Sequence, residues 1–152
     1  MKVRDIMTPR VVAFRPGDTV ESAARRLAQS HISGAPVVER GEVVGVVSEA
    51  DIISAFLPAP SRGGGPVSIL EVMKVLGKAL PHRSRQASTV RDLMSHLVVL
   101  VSPDEDAARA ADIMRRRGVN RFPVVDGDDK LLGIVTRADL VRSIALHGSA
   151  LR

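Results

Sequence analysis

Apolar positions along this chain fall into short runs and helical stripes, and the order of those elements is given twice. Val11–Phe14 is a compact apolar run of the kind a buried strand makes. A helix is predicted over Thr19–His31, its start marked by Asp18 with Glu21 three residues on. That is a capping-box pattern, in which two side chains satisfy the free N–H groups at a helix end. Two short strands follow, Ala35–Glu39 and Glu42–Val47, turned through Arg40-Gly41 as a hairpin, and a closing helix spans Glu49–Leu57. The same sequence of elements returns with a strand at Leu97–Val101 and a helix at Asp106–Arg117. Strands at Phe122–Val125 and Leu131–Val135 flank the turn Asp126–Asp129, and Arg137–His147 closes the unit. The second long helix carries Ala107, Ala110, Ala111, Ile113 and Met114 on one side. Its start is signalled by Ser102-Pro103 with Glu105, and its end by the cations Arg115–Arg117 and by Gly118.

The two halves also match residue by residue. Residues 3–42 realign on residues 90–129 with a constant shift of 87, and after one inserted residue Gly45–Asp51 lies over Gly133–Asp139. Two copies are too few for a solenoid. The fold class expected is α/β (α+β), with tandem β-α-β-β-α repeats forming a pseudo-twofold pair that presents two related clefts. The first repeat is placed at 1–57, a linker at 58–89, the second repeat at 90–147 and a tail at 148–152. The linker opens with the breaker-rich stretch Pro58–Pro66, whose glycines lack the strand–GxxxxGK[ST]–helix context of a phosphate loop. Ser68 with Glu71 then opens an extra helix over 68–80, with Ile69, Val72, Met73, Leu76 and Leu80 on one face to cover the protein's own core.

Composition narrows the function classes. Apolar residues make up 45% of the chain, enough for a core, yet there is no Trp, no Tyr and only three Phe, so that core is aliphatic. The absence of Cys removes disulfides, thiolate metal sites and Cys nucleophiles, and fits a reducing, cytoplasmic setting. Neither a signal core at the start nor a membrane-length apolar run is present, so no membrane association is expected. The net charge of +5 suits an anionic partner or simply a solvated surface. Sequence-specific nucleic-acid binding is disfavoured because stacking aromatics and the spacings of the known DNA-binding motifs are missing. Four His at 31, 82, 96 and 147 have no metal-binding spacing, and the Asp126–Asp129 turn lacks the EF-hand order. No Ser, His and acid constellation with an oxyanion nest stands out. No enzymatic activity, metal or required cofactor is expected.

The sharper signal is G-h-h-[ST]-x-x-D, with h apolar, at Gly45–Asp51 and Gly133–Asp139, where a strand passes into a helix. Ser48 and Thr136 suit N-caps there, and Asp51 and Asp139 stand at the third helical position, so capping alone selects this pattern. The same geometry suits a ligand. A helix N-terminus favours phosphate, and a carboxylate beside it accepts from two neighbouring ribose hydroxyls.

The ordered set D-[IL]-M-[TS] (Asp5–Thr8, Asp92–Ser95), h-P-V-V (Ala35–Val38, Phe122–Val125) and G-h-h-[ST]-x-x-D resembles the CBS domain, named after cystathionine beta-synthase. Two copies in tandem resemble a Bateman module, and the resemblance covers the chain apart from residues 58–88. It implies a regulatory pair that binds adenosine-bearing ligands (AMP, ADP, ATP, S-adenosylmethionine or NAD) in clefts between the repeats. Carried over by position, Asp51 and Asp139 hold ribose, with Ser48 and Thr136 near ribose or phosphate. The backbone around Ser33, Ala35 and Pro36, and around Asn120, Phe122 and Pro123, reads the adenine edge. Thr8 and Ser95 line the base or ribose side, and Val12, Ile32, Val99 and Val119 sandwich the base. The copies depart from each other where His96 replaces Pro9 and Arg137 replaces Glu49. Arg137, Arg121 and the cluster Arg115–Arg117 direct a phosphate-bearing ligand to the second site. The resemblance further implies a homodimer through apolar helices (Ala23, Ala24, Leu27, Ala110, Ile113 and Met114) and an effector on another polypeptide. The rival reading is a structural dimerisation or adaptor protein that binds no ligand.

Overall fold

The structure, a computed structural model, describes residues 1–56 and 89–147. The predicted linker helix at 68–80 lies outside the described residues. A 3-10 turn at Val3–Asp5 is followed by α1 (Val20–Ser30), β1 (Gly34–Glu39), β2 (Glu42–Ser48) and α2 (Glu49–Phe56). The second half runs α3 (Val90–Leu93), α4 (Ala107–Arg117), β3 (Arg121–Val125), β4 (Leu131–Thr136) and α5 (Arg137–His147). β1 pairs antiparallel with β2, and β3 with β4. The β1–β2 hairpin turns through Arg40 and Gly41 at φ 53° and 82°, the left-handed pair that a two-residue hairpin requires.

Helix ends differ by one residue from the sequence reading. Thr19, not Asp18, caps α1, its hydroxyl accepting from Ser22 N–H at 3.1 Å. Asp106 caps α4 by accepting from Ala108 N–H at 2.8 Å, and Ser102 and Glu105 lie upstream of it. The third residue after each true cap has no Glu, so the nearer Ser, Thr or Asp spacing misplaced the start. The C-termini are alike in both repeats: His31 (φ 52°) and Gly118 (φ 65°) are left-handed at equivalent positions.

The apolar runs Val11–Phe14 and Leu97–Val101 are not full strands. Only their last residues bridge, Phe14 to Val37 and Val101 to Val124, both in parallel sense. Their remaining backbone is freed to line the clefts described below.

The two hydrophobic cores exchange their opening segments. Val90 and Met94 belong to the core of Phe14, Leu27, Val37 and Val47, whereas Val3 belongs to that of Met114, Phe122, Val124 and Val135. Backbone bonds fix the exchange. Val3 and Arg4 N–H donate to Glu105 and Pro103 carbonyls at 2.9 Å each, and Val90 and Arg91 N–H donate to Asp18 and Pro16 carbonyls at 2.9 and 3.0 Å. Arg4 forms an ion pair with Asp104. Thr8 and Ile134 then trade two backbone bonds at 2.8 and 3.0 Å, while Ser95 and Val46 do so at 2.9 and 3.1 Å. Thr8 therefore extends the β3–β4 hairpin and Ser95 the β1–β2 hairpin.

Ala23, Leu27, Ala110 and Met114 are fully or almost fully buried in these cores, and Ala24 and Ile113 pack against them. They are not the unpartnered apolar surface the sequence suggested, because each long helix turns its small-residue stripe onto its own hairpin. Among the described residues, exposed large apolar side chains stand instead on the closing helices, Ile53 on α2 and Val141, Ile144 and Leu146 on α5, and outside them at Leu97 and Leu132.

Candidate ligand-binding clefts

Each strand-to-helix junction is closed by its own side chains. Asp139 Oδ2 accepts from the Thr136 backbone N–H at 2.8 Å and the Thr136 hydroxyl at 2.7 Å, and Asp139 N–H donates back to Thr136 Oγ1 at 3.3 Å. Asp51 repeats the arrangement with Ser48 at 2.7, 2.9 and 3.3 Å. The capping reading of the G-h-h-[ST]-x-x-D motif is therefore realised in both copies. It uses one carboxylate oxygen. The other oxygen, Asp139 Oδ1, lies 3.7 Å from Arg142 Nη1, and Asp139 as a whole is only 8% exposed.

The glycine that opens each of these motifs has a separate cause. A Cβ on Gly133 would stand 2.8 Å from the Thr8 carbonyl oxygen and 3.1 Å from Met7 Sδ, and one on Gly45 would stand 2.8 Å from Met94 Sδ and 3.0 Å from the Ser95 carbonyl. Close approach of the other repeat's opening segment leaves no room for a side chain. The two motifs D-[IL]-M-[TS] and G-h-h-[ST]-x-x-D are thus contact partners across the repeats.

That exchange builds two clefts of unequal size. The larger, about 930 Å³, joins Thr8, Val11, Val12, Ile32 and Ser33 of the first half to Asn120, Arg121, Thr136, Arg137 and Asp139 of the second. The smaller, about 260 Å³, joins Ser95, Val99, Val119, Asn120 and Arg121 of the second half to Val46, Ser48 and Asp51 of the first. Of the predicted sandwich residues, Val12 and Ile32 fall to the larger cleft and Val99 and Val119 to the smaller. Ala35, Pro36, Phe122 and Pro123 line neither. They are buried, and Ala35 and Phe122 belong to the two cores. The carbonyls of Ser33 and Asn120 accept from the first helical N–H groups, Glu49 at 2.9 Å and Arg137 at 2.9 Å, so they anchor α2 and α5.

The charges divide unevenly. The larger cleft is lined by Arg10, Arg121, Arg137 and Arg142 against Asp139, together with His31. Arg115–Arg117 line neither cleft: Arg115 and Arg116 pair with Asp112 at 2.9 and 2.6 Å on the exposed face of α4. The Arg115 hydrogen bond, with the Arg116 charge beside it, holds Asp112 below the usual carboxylate value. Arg10, His31 and Arg142 were not singled out from the sequence. Arg142 follows Asp139 by three residues and so shares its helix face, a signal that was present. Arg10 and His31 enter through folding of the coil and a left-handed cap, which no periodicity reports. Among the described residues no group of three His, Cys, Asp or Glu converges as a metal site would, and no helix is long and apolar enough to cross a membrane.

Paired hairpins that exchange opening segments, with a capped strand-to-helix junction in each cleft, define a tandem CBS pair. The CBS-domain pattern matches residues 3–58 and 90–146, and the chain belongs to that family. It is 31% identical over 158 residues to the uncharacterized protein MJ1426 of Methanocaldococcus jannaschii, across 95% of this chain and 91% of that one. It spans far less of other relatives, 40% and 44% of two further proteins of the same organism. Among solved structures it is similar to CBSX2 in complex with AMP, at 29% identity and a TM-score of 0.73 over 95% of this chain and 96% of that chain. It is also similar to the CBS domain of a CBS-domain-containing membrane protein from Sphaerobacter thermophilus, at 33% identity and a TM-score of 0.69 over 93% and 86% of the two chains.

Proposed function

We propose that this protein is a non-catalytic regulatory module that binds an adenine nucleotide in the larger cleft and passes its occupancy to a partner. The observation that carries the reading is Asp139. Its capping box consumes one carboxylate oxygen and leaves the other, paired with Arg142, on a residue that lines a cleft of about 930 Å³ at the start of α5. That oxygen suits ribose hydroxyls, the helix end and the arginines suit phosphate, and Val11, Val12 and Ile32 suit the base without any aromatic ring. Similarity to CBSX2, whose structure holds AMP, supports an adenosine ligand and puts AMP first among those to test. ADP, ATP, S-adenosylmethionine and NAD remain competitors that the same titration ranks.

The partner, its signal and the cytoplasmic setting belong to the same proposal, as does homodimerisation. The apolar side chains Val141, Ile144 and Leu146 favour the last of these, being 60%, 50% and 72% exposed on one short helix. A purely structural dimeriser is the reading that remains if no ligand binds. The experiment is direct. With no Trp or Tyr the protein absorbs little near 280 nm. A co-purified adenine therefore stands out near 260 nm and is identified by mass spectrometry after heat release. Calorimetric titration of AMP and ATP then gives affinity and stoichiometry, and the absence of binding by every adenosine ligand overturns the reading.

A further inference from the structure

The repeats differ most sharply where they meet. Position 34 in the first repeat is equivalent to position 121 in the second, and both begin the first strand of a hairpin, Gly34 opposite Ser48 and Arg121 opposite Thr136. The glycine makes room for the arginine. A Cβ on Gly34 would meet Arg121 Nη1 and would stand 2.8 Å from both its Cζ and the Val47 carbonyl oxygen of the paired strand. The guanidinium thus crosses into the notch of the other repeat, where Nη2 donates to Ser33 Oγ at 2.6 Å.

That position makes Arg121 a wall of both clefts at once. Its value to each is different. The larger cleft has three further arginines, Arg10, Arg137 and Arg142. In the smaller cleft Arg121 is the only cation among the described lining residues, and it faces Asp51 there. Burial draws its pKa down from the ordinary arginine value, while the nearby charges of Glu49 and Asp51 oppose that change. The guanidinium therefore offsets a local acidic excess as well as lining a cavity.

We infer that Arg121 couples the two clefts, so that a phosphate bound in the larger one weakens the binding of a phosphate-bearing ligand in the smaller one. The inference rests on the adenine-nucleotide reading above. A phosphate in the larger cleft draws the shared guanidinium toward itself. The smaller cleft is then left with Asp51 and no lining cation, with the charge of Glu49 nearby, and repels a second anion. The coupling is reciprocal, because any binding linkage is. A ligand without phosphate makes no such demand, so adenosine should fill both clefts without the penalty.

The test uses AMP and adenosine as probes, with calorimetry on the full chain. Asp139→Ala weakens the larger cleft, so that the smaller one is read while the larger stays largely empty. Ala138→Trp gives a second block from an exposed helical position and leaves the Thr136–Asp139 cap in place. The second AMP step of the wild type should be weaker than AMP binding to either blocked variant by about 5- to 150-fold, the usual span of a coupling between sites. For adenosine the two values should agree, and in Arg121→Gln the AMP gap should close. Equal AMP affinity for the smaller cleft whether the larger is filled or blocked overturns the coupling while leaving the nucleotide reading intact. A smaller cleft that refuses AMP even when the larger is blocked overturns it too. Failure of both AMP and adenosine to bind the wild type anywhere overturns the nucleotide reading itself.

Discussion

The Thr8 carbonyl oxygen stands only 2.8 Å from where a methyl group on Gly133 would lie. The contact is part of a two-way backbone pairing between Thr8 and Ile134 that lays the first repeat's opening segment along β4. It joins the two most regular motifs of the chain and fixes the floor of the larger cleft.

Gly133→Ala should cost about 1–3 kcal/mol of stability, the usual penalty of overpacking a buried site, because the obstacle is backbone and cannot rotate away. Thermal melting checks this. Gly127→Ala, at a position with nothing within 4 Å, is the control and should leave the melting temperature nearly unchanged.

Asp139→Ala should remove the cap and lower stability by about 0.5–2 kcal/mol. If Oδ1 also accepts ribose hydroxyls, affinity for an adenosine ligand should fall roughly tenfold to a thousandfold, from hydrogen bonds of about 1.5–3 kcal/mol each. Asp139→Asn keeps an oxygen for Thr136 and should recover more stability than affinity. Titration and melting of the same samples separate the two roles. Affinity that survives in Asp139→Ala, Asp51→Ala and the double variant removes the ribose assignment.

Val3→Ala tests the exchange of segments. Val3 is fully buried in the core of Phe122 and Val135, more than a hundred residues away in sequence. Loss of two methyl groups there should cost about 1–3 kcal/mol. Hydrogen exchange should register that loss in β3 and β4 rather than in β1 and β2. Faster exchange confined to the first hairpin would contradict the arrangement.

His31→Gly should stabilise the fold by up to about 1 kcal/mol, since His31 holds φ 52° at the cap where the second repeat has Gly118. Unfolding in urea at fixed pH reads the change. A loss of stability would mean that contacts of the imidazole outweigh its backbone strain.

Ile144→Asp with Val141→Asp should disrupt a homodimer built on α5 and leave the fold unchanged, because both side chains are at least half exposed. Sedimentation of wild type and variant at tens of micromolar decides. Nucleic-acid retention, tested on the same samples, should be weak and vanish with added salt, as contacts resting on counterion release do.

The hairpins and closing helices were legible in the sequence because each is punctuated by its own residues: Arg40-Gly41 at a turn, Ser48 and Thr136 at helix starts, Gly118 at a helix end. The two G-h-h-[ST]-x-x-D motifs could be located, but not apportioned between capping and binding, since both uses want the same hydroxyl and carboxylate. The runs Val11–Phe14 and Leu97–Val101 misled because burial on one side of a cleft demands the same apolar residues as a strand. The exchange of openings was invisible to periodicity. Val3 and Val90 occupy equivalent positions, and nothing in either pattern says which core each will enter. Arg121 was flagged for its charge alone. The informative sign was its partner in the alignment, Gly34, whose missing side chain is the vacancy that the arginine fills.

The traded openings also bear on what holds the molecule together when its chain is cut. A cut between the two repeats would sever the covalent link but not the backbone bonds that hold each repeat's opening segment against the other. Each fragment would still hold a β-ladder partner and a buried valine belonging to the other. The nicked protein should therefore survive as a complementing pair. A lone repeat, lacking the segment that seals it, would find that segment only on another copy of itself.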